Sequence, residues 1–486
     1  MPSPWESGAP MPLKTILWAG FFVVTALGAL WNPLLGIIGY VGHYCIGPDT
    51  KWWTQELRPL GLRYSFTLAI MTGLGIAVNW HKLRPGRTLL SRQEKLVLLF
   101  LGLVWLSVLI GPETTARYTK PGIDHPSVKF TKVLIFGFML THVVTTRKNL
   151  DRFVWVLVLG ALILGAQAWD TPRRAFLRGR LEGVGGPDFT DANAFGVFMA
   201  AMLPLIGVQF LRSRWPGKVL AFLAGGFTAN AVVLARSRGA FLALAGGVLA
   251  AALTAPRRHR GKIALGIVLA VAGGFSLTDP QFIHRMSTIT TEEEEMGGSA
   301  HNRIEIWRGG LRMLKSHPLG VGAGNFYQTI GRYAPEHAGR DAHNTYVRTA
   351  CELGVQGIAV FGLLAIGALG SLWRIGHRGG LVPGPERRRR ELLAYGLLVS
   401  VVVVLGGCLT LSLTYVEYVW WFLLLPVCLA RSVENYDLDA VGEAAGEQAG
   451  QRAPRGSSAS PERGKAQGQA RRRPSLAHAH RREAQA

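Results

Sequence analysis

Charge is scarce in this chain. Only 17% of its 486 residues are Asp, Glu, Lys or Arg, against about 25% in soluble globular proteins, and that shortfall excludes a soluble enzyme. Cysteine is scarcer still. Cys45, Cys351, Cys408 and Cys428 lack the paired spacing of a zinc site or a disulfide framework, and each lies in or beside an apolar stretch, where a thiol serves as a small packing residue. Acidic residues number 30 against 53 Lys and Arg. Their one dense run, Glu292 to Glu295, has no spaced partners for a metal, so it reads as a solvated loop. A cleavable signal peptide is also not evident: no basic region precedes the first apolar run, and Leu13 to Leu30 is too long for a signal core and has no small-residue cleavage site.

What the chain has in quantity is apolar sequence in blocks. It is 49% hydrophobic with 60 Gly and 14 Trp and a mean hydropathy of +0.22. Small residues let membrane helices approach closely, and Trp prefers the two interfaces. Apolar runs fall near 13–30, 34–47, 64–80, 96–111, 130–145, 153–169, 192–211, 218–235, 240–255, 263–277, 353–373, 392–412 and 418–430. This predicts an all-α, polytopic integral membrane protein with about 12 or 13 spans. The second run is short, so it and the first are expected to flank a break at Trp31-Asn32-Pro33. Residues 1–277 form the first helices, 278–352 a large loop, 353–432 the last helices, and 433–486 a basic tail without apolar periodicity, read as disordered.

The net charge of +23 sits between the helices. Basic residues cluster at 82–95, 147–152, 212–218, 257–262 and 374–390, in alternate loops, and such loops stay in the cytoplasm. The opposite, periplasmic side then receives 48–63, 112–129, 170–191, the turn at Arg236-Ser237-Arg238, and the long 278–352 loop. Because the basic loops are short, scattered and explained by topology, nucleic-acid binding is disfavoured. The long loop contains a helical pattern, with Ile304, Trp307, Leu311 and Leu314 at one spacing and Arg303, Arg308, Arg312 and Lys315 around it, which reads as an amphipathic helix lying on the membrane or as a surface helix packed on the bundle with solvated charges. It also contains Gly320, Gly322 and Gly324. No strand precedes them, so this is a close-packing turn and not a dinucleotide loop.

Several further elements share the periplasmic side: Arg180-Leu-Glu182-Gly, Asp191-Ala-Asn193-Ala-Phe195, Ser237-Arg238-Gly239-Ala240, Arg303-x-x-x-Trp307, His317-Pro-Leu-Gly-Val-Gly322 and Ala342-His343-Asn344-Thr-Tyr346. In this order they resemble the O-antigen ligase and polymerase superfamily, and more closely its branch described as exosortase-associated O-glycosylation ligases. The resemblance covers residues 12–432. Two departures stand out: the family commonly has Asn where Ala192 stands, and the long basic tail is not a family feature.

The resemblance implies a bacterial inner-membrane glycosyltransferase in exopolysaccharide, O-antigen or protein O-glycosylation pathways. Such an enzyme moves a glycan from an undecaprenyl-pyrophosphate carrier to an acceptor hydroxyl on the periplasmic face, without metal or cofactor. Its partners would be the lipid-linked glycan donor, membrane lipids, and a glycan, lipid or protein acceptor. The residues suit the task independently. A leaving pyrophosphate needs a divalent metal or fixed cations, and Arg180 and Arg238 offer planar donors for phosphate oxygens. His343 can take the acceptor's proton near neutral pH. Thus His343, Arg238 and Arg180 are the candidate catalytic residues. Arg236, Arg303, Asn344, Tyr346 and Glu182 are candidate substrate contacts, with no metal ligand. Asn344 and Tyr346 are equally readable as supports of their turn. Glu182, Asp188 and Asp191 are expected to order their loop by pairing with its arginines, Asp191 alternatively as a helix N-cap.

A repeat-unit polymerase of the same superfamily would use the same residues. A transporter of an anionic solute or lipid is the alternative from another class. It is less favoured because no internal repeat is present and the polar residues gather at one face instead of mid-membrane.

Overall fold

The computed structural model describes residues 11–83, 86, 88–111, 124–177, 179–278, 283, 299–377 and 384–452. The acidic run Glu292 to Glu295 and the tail beyond 452 lie outside the described residues. Among those described, every regular element is a helix. Short 3-10 turns aside, the α-helices of more than four residues are, in chain order, α1 Leu13–Gly28, α2 Pro33–Ile46, α3 Tyr64–Val78, α4 Arg92–Ile110, α5 Pro126–Val143, α6 Arg147–Asp170, α7 Ala192–Arg212, α8 Trp215–Ala235, α9 Arg238–Thr254, α10 Arg260–Leu277, α11 Ser299–Ser316, α12 Thr345–His377, α13 Gly384–Cys408 and α14 Glu417–Arg452. The protein is an all-α polytopic membrane protein.

Each apolar run folds as a helix, but their lengths differ. Six helices (α4, α6, α7, α8, α12 and α13) are individually long and apolar enough to cross a membrane, or up to eight spans if each of two bent pairs counts as one. The other apolar runs of the expected 12 or 13 form helices that are shorter, bent or less apolar. α1, α2 and α3 have 16, 14 and 15 residues, and a 15-residue helix rises only about 22 Å against a hydrocarbon core of about 30 Å. The α9–α10 region bends by 108° at its break. At Trp31-Asn32-Pro33 the chain does break: Asn32 accepts from the Leu34 amide and Pro33 opens α2, as a donorless N1 residue should.

The helices are begun by local chemistry and held by an aromatic core. Ser91 and Glu94 form a reciprocal capping box at the start of α4, which satisfies two otherwise orphaned amides. Trp420, Trp421, Tyr418, Phe100, Phe130 and Phe136 are fully buried at the centre. All four cysteines are buried and free.

One end of the bundle is tied by ion pairs. Arg431 lies 2.8 Å from Glu94, Arg212 and Arg389 lie 2.7 Å and 3.0 Å from Asp151, and Arg147 and Arg390 lie 3.1 Å and 3.3 Å from Glu386. Apart from Arg431, which follows the last apolar run, these residues come from the basic loops that alternation groups on one side. α14 also runs past residue 433, where a disordered tail was expected to begin. Asn435 donates to the Thr145 carbonyl at 3.0 Å and Arg390 pairs with Asp437 at 2.6 Å, so the helix is anchored past the apolar run that ends near residue 430.

At the opposite end, α11 packs on the bundle, the second of the two readings of its pattern. Ile306 and Met313 are buried with Val321, Phe326, Ile330, Ala342 and Cys351, while Ile304 and Leu311 are exposed. The expected stripe divides because Gly309 and Gly310 put the opposite face within contact of Ala334 and Val347. The glycine turn behaves as a close-packing device. A Cβ at Gly320 (φ +95°) would lie 2.4 Å from the Glu352 carbonyl oxygen, and one at Gly354 (φ +75°) 2.5 Å from that of Pro318. Gly354 breaks α12, and the Val321 and Gly322 amides donate to the Cys351 and Glu352 carbonyls there, at 2.8 Å and 3.0 Å.

Candidate active site

Three short segments at this end of the bundle meet. The first is the turn between α8 and α9. Arg236 takes a left-handed conformation (φ +46°) as the C-cap of α8, and Ser237 immediately caps α9 by accepting from the Ala240 amide at 3.2 Å. Two residues therefore reverse the chain and leave Arg238 on the first turn of α9. Gly239 is required here, since a Cβ would fall 2.3 Å from Thr410 Oγ1. Arg236 is buried, donates to the Gly179 carbonyl and sits over the Phe176 ring at 5.9 Å. It thereby fastens the second segment, the 176–193 loop.

That loop carries Arg180 to the start of α7. Asp191 caps α7, accepting from the Asn193 and Ala194 amides at 2.6 Å and 3.2 Å, which is its expected role as an N-cap. Asn193 Oδ1 accepts from Arg180 and from Ser237 Oγ at 2.8 Å, so one side chain joins the two arginine-bearing segments. Asp188 departs from expectation. Its carboxylate is buried and binds Lys129 Nζ at 2.6 Å, Tyr44 at 3.1 Å and the Glu417 amide at 2.9 Å, not the loop's arginines, because α2, α5 and α14 lie closer to it. Glu182 is half-buried and makes no ion pair with a described residue.

The third segment, 340–346, precedes α12. Trp307 Nε1 donates to the Ala342 carbonyl at 2.8 Å, tying the segment to α11. His343 is left-handed (φ +45°). Asn344 donates to the Leu409 carbonyl at 3.1 Å and accepts from the Val347 amide at 3.0 Å, and Tyr346 donates to the Leu405 carbonyl at 2.9 Å. The polar atoms of Asn344 and Tyr346 thus hold the segment against the end of α13, the supporting alternative in the sequence reading.

Among the described residues, Arg236 and His343 are the only non-glycine residues with positive φ. The left-handed conformation costs an L-residue about 1–2 kcal/mol, and such strain persists where the surroundings over-determine it, commonly at functional sites. Sequence gives no sign of it, since neither position is the glycine or asparagine that would announce a left-handed turn.

Electrostatics show what converges. Burial lowers the Arg303 pKa from its ordinary value, and Arg238 and Arg180 lower it further, while Asp341 and Asp191 oppose them. His343 is held below the usual imidazole range by burial first, with Asp341 and Asp191 acting upward and Arg303 downward. Arg180, Arg238, Arg303 and His343, drawn from four separate segments, therefore share one electrostatic neighbourhood. A cleft of about 510 Å³ lies beside it, lined by Asn302, Arg303, Ile306, Arg340, Asp341 and His343. The Nε atoms of Arg180 and Arg303 are buried and meet no hydrogen-bond acceptor. A buried guanidinium donor without an acceptor is costly, and an anionic oxygen is the kind of acceptor the guanidinium fork favours.

Sequence reasoning passed over Asn193, Ser237, Asp341 and Arg348. Asn193 and Ser237 lie inside the quoted motifs and Asp341 immediately before one, but nothing in the sequence distinguishes a motif's scaffold from its reacting groups. Arg348 had a signal, a cation at the entry to an apolar helix. It is buried, with Glu352 Oε1 2.9 Å away.

Among the described residues no group of three or more His, Cys, Asp or Glu is placed to hold a metal ion. No curated protein matches the chain in sequence. Residues 223–362 match the family model described as O-Antigen ligase, a stretch that contains Arg236, Arg238, Arg303 and His343 and that supports the O-antigen ligase superfamily for this chain.

Proposed function

We propose that the protein is a metal-independent glycosyltransferase of the bacterial inner membrane. In this reading it transfers a glycan from an undecaprenyl-pyrophosphate carrier to an acceptor hydroxyl on the periplasmic face. The observation that carries the reading is the convergence of Arg180, Arg238 and Arg303 with His343 at one bundle end, within or beside the O-Antigen ligase match. The reading extends to the exosortase-associated O-glycosylation branch through the motif series.

The chemistry follows from the arrangement. The acceptor O–H gives its proton to the neutral imidazole of His343, the oxygen bonds to the anomeric carbon, and the bond from that carbon to the pyrophosphate breaks with its electron pair on the phosphate oxygen. Arg180, Arg238 and Arg303 receive the developing charge. Fixed cations aimed at where charge appears are the usual large contribution to such a step, and a half-exposed His343 (43% of its side-chain surface) is open to an incoming hydroxyl. Polar groups at one bundle end fit this better than a transport path, which needs them at mid-membrane.

The test is reconstitution. The purified protein in nanodiscs is given an undecaprenyl-pyrophosphate glycan with a lipid, a peptide or a carrier-linked glycan as acceptor, with and without EDTA. Acceptor-linked product that survives EDTA supports the reading, and a ladder on the carrier assigns the acceptor as growing polysaccharide. Absence of transfer with all acceptors, despite donor binding, overturns it.

A further inference from the structure

We infer that Asp341 is a positioning residue for His343: its carboxylate, braced by the buried Arg348, fixes the imidazole and faces it with the one acidic group of its own loop. The inference rests on the proposed transfer only for its kinetic consequences.

The geometry starts from backbone. Asp341 and His343 flank Ala342, which is fully buried and whose carbonyl is held by Trp307. The left-handed turn at His343 brings both side chains to one cleft, with Asp341 Oδ2 3.8 Å from His343 Nδ1. This is an ion-pair separation, which tightens into a hydrogen bond with a small motion, as catalytic contacts do when substrate binds.

The other carboxylate oxygen faces inward. Asp341 Oδ1 is buried without a hydrogen-bond partner and lies 3.6 Å from Arg348 Nη1. Arg348 is itself immobilised. Its Nε pairs with Glu352, whose second oxygen accepts from Tyr415 at 2.8 Å, and its guanidinium sits over the rings of Tyr327 and Tyr415 at 5.0 Å and 5.6 Å. Because fully buried Glu352 already supplies Arg348 with a counter-charge, the Asp341 charge is not consumed there. It is directed at a histidine that must become a cation beside Arg303.

The groups acting on His343 are Asp341 from its own loop, Arg303 from α11 and Asp191 from the cap of α7, with Arg340 in the same cleft. A protonated His343 beside Arg303 is penalised, and Asp341 offsets that penalty. Its removal should weaken His343 as a proton acceptor without touching the arginines that hold phosphate.

The experiment uses the full chain in nanodiscs with ¹³C-labelled histidine, the His343 resonance being assigned by its loss in His343→Gln. Asp341→Asn, close to isosteric, is expected to move the His343 titration midpoint down by about one pH unit, the scale of an opposite charge at this range. Asp341→Glu should restore most of it. The acid limb of kcat/KM should move down with the midpoint, kcat should fall roughly tenfold or more, and donor KM should stay unchanged. An unmoved midpoint in folded Asp341→Asn overturns the inference. A midpoint that moves while the rate profile stays fixed keeps the Asp341–His343 coupling and overturns instead the role of His343 in the transfer.

Discussion

The two ends of the bundle use the same residue, arginine, in opposite ways. At the end formed by the basic loops, Arg212, Arg389, Arg390 and Arg431 are each matched with Asp151, Glu386, Asp437 or Glu94. At the other end, among the described residues, Arg180 has an amide oxygen for a partner and Arg303 no carboxylate within ion-pair distance, and each keeps a buried Nε without an acceptor. A paired arginine is spent on holding helices together. In the proposed function, an arginine whose partner is neutral or missing keeps its charge for an anion that arrives from outside. Arg348 shows that location alone does not decide the matter, since it lies near the cleft yet is paired like the structural arginines.

The comparison breaks most visibly at the paired end. Arg431→Met leaves Glu94, fully buried, without its counter-charge, and losing one partner of a buried pair costs about 3–5 kcal/mol. Thermal unfolding of the purified variant should show this loss, while donor affinity of the folded fraction is unchanged. At the other end the expectation reverses. Arg303→Lys or Arg238→Lys keeps the charge but loses the fork, so donor affinity should fall by about 1.5–3 kcal/mol, the worth of a charge-assisted hydrogen bond, with the unfolding temperature near that of the parent chain. Isothermal titration with undecaprenyl pyrophosphate reads the first quantity. The smallest effect concerns the scaffold between them: Asp191→Ala removes the α7 cap and should cost about 1 kcal/mol of stability, with a proportionate change in the unfolding midpoint.

The architecture was legible in the sequence to the degree that burial controls it. Long apolar runs became helices, and alternating basic loops correctly grouped residues 147–152, 212 and 386–390, which meet in ion pairs. Span number was less legible, because α1 and α2 are apolar but short and α3 reaches spanning length only together with the bent helical turn Trp52–Leu60. The packing face of α11 was not legible, since it contains Gly309 and Gly310, which no hydrophobic pattern counts. Asp188 was assigned to neighbours in sequence, whereas its partners Tyr44, Lys129 and Glu417 are far along the chain and near in space. The site arginines were found as residue types in motifs. Their unequal pairing, and the strained backbone at Arg236 and His343, exist only in three dimensions.

The division of labour between arginines and histidine is the centre of the account, and one measurement reaches it. Donor affinity and single-turnover rate are determined on the same nanodisc preparations of the parent chain and His343→Ala, with undecaprenyl-pyrophosphate glycan as donor. The account predicts unchanged donor affinity and a turnover lower by about 10²- to 10⁴-fold, the contribution of a positioned proton acceptor. Loss of donor binding in His343→Ala, with turnover of the bound fraction intact, would contradict it and place His343 among the groups that hold phosphate.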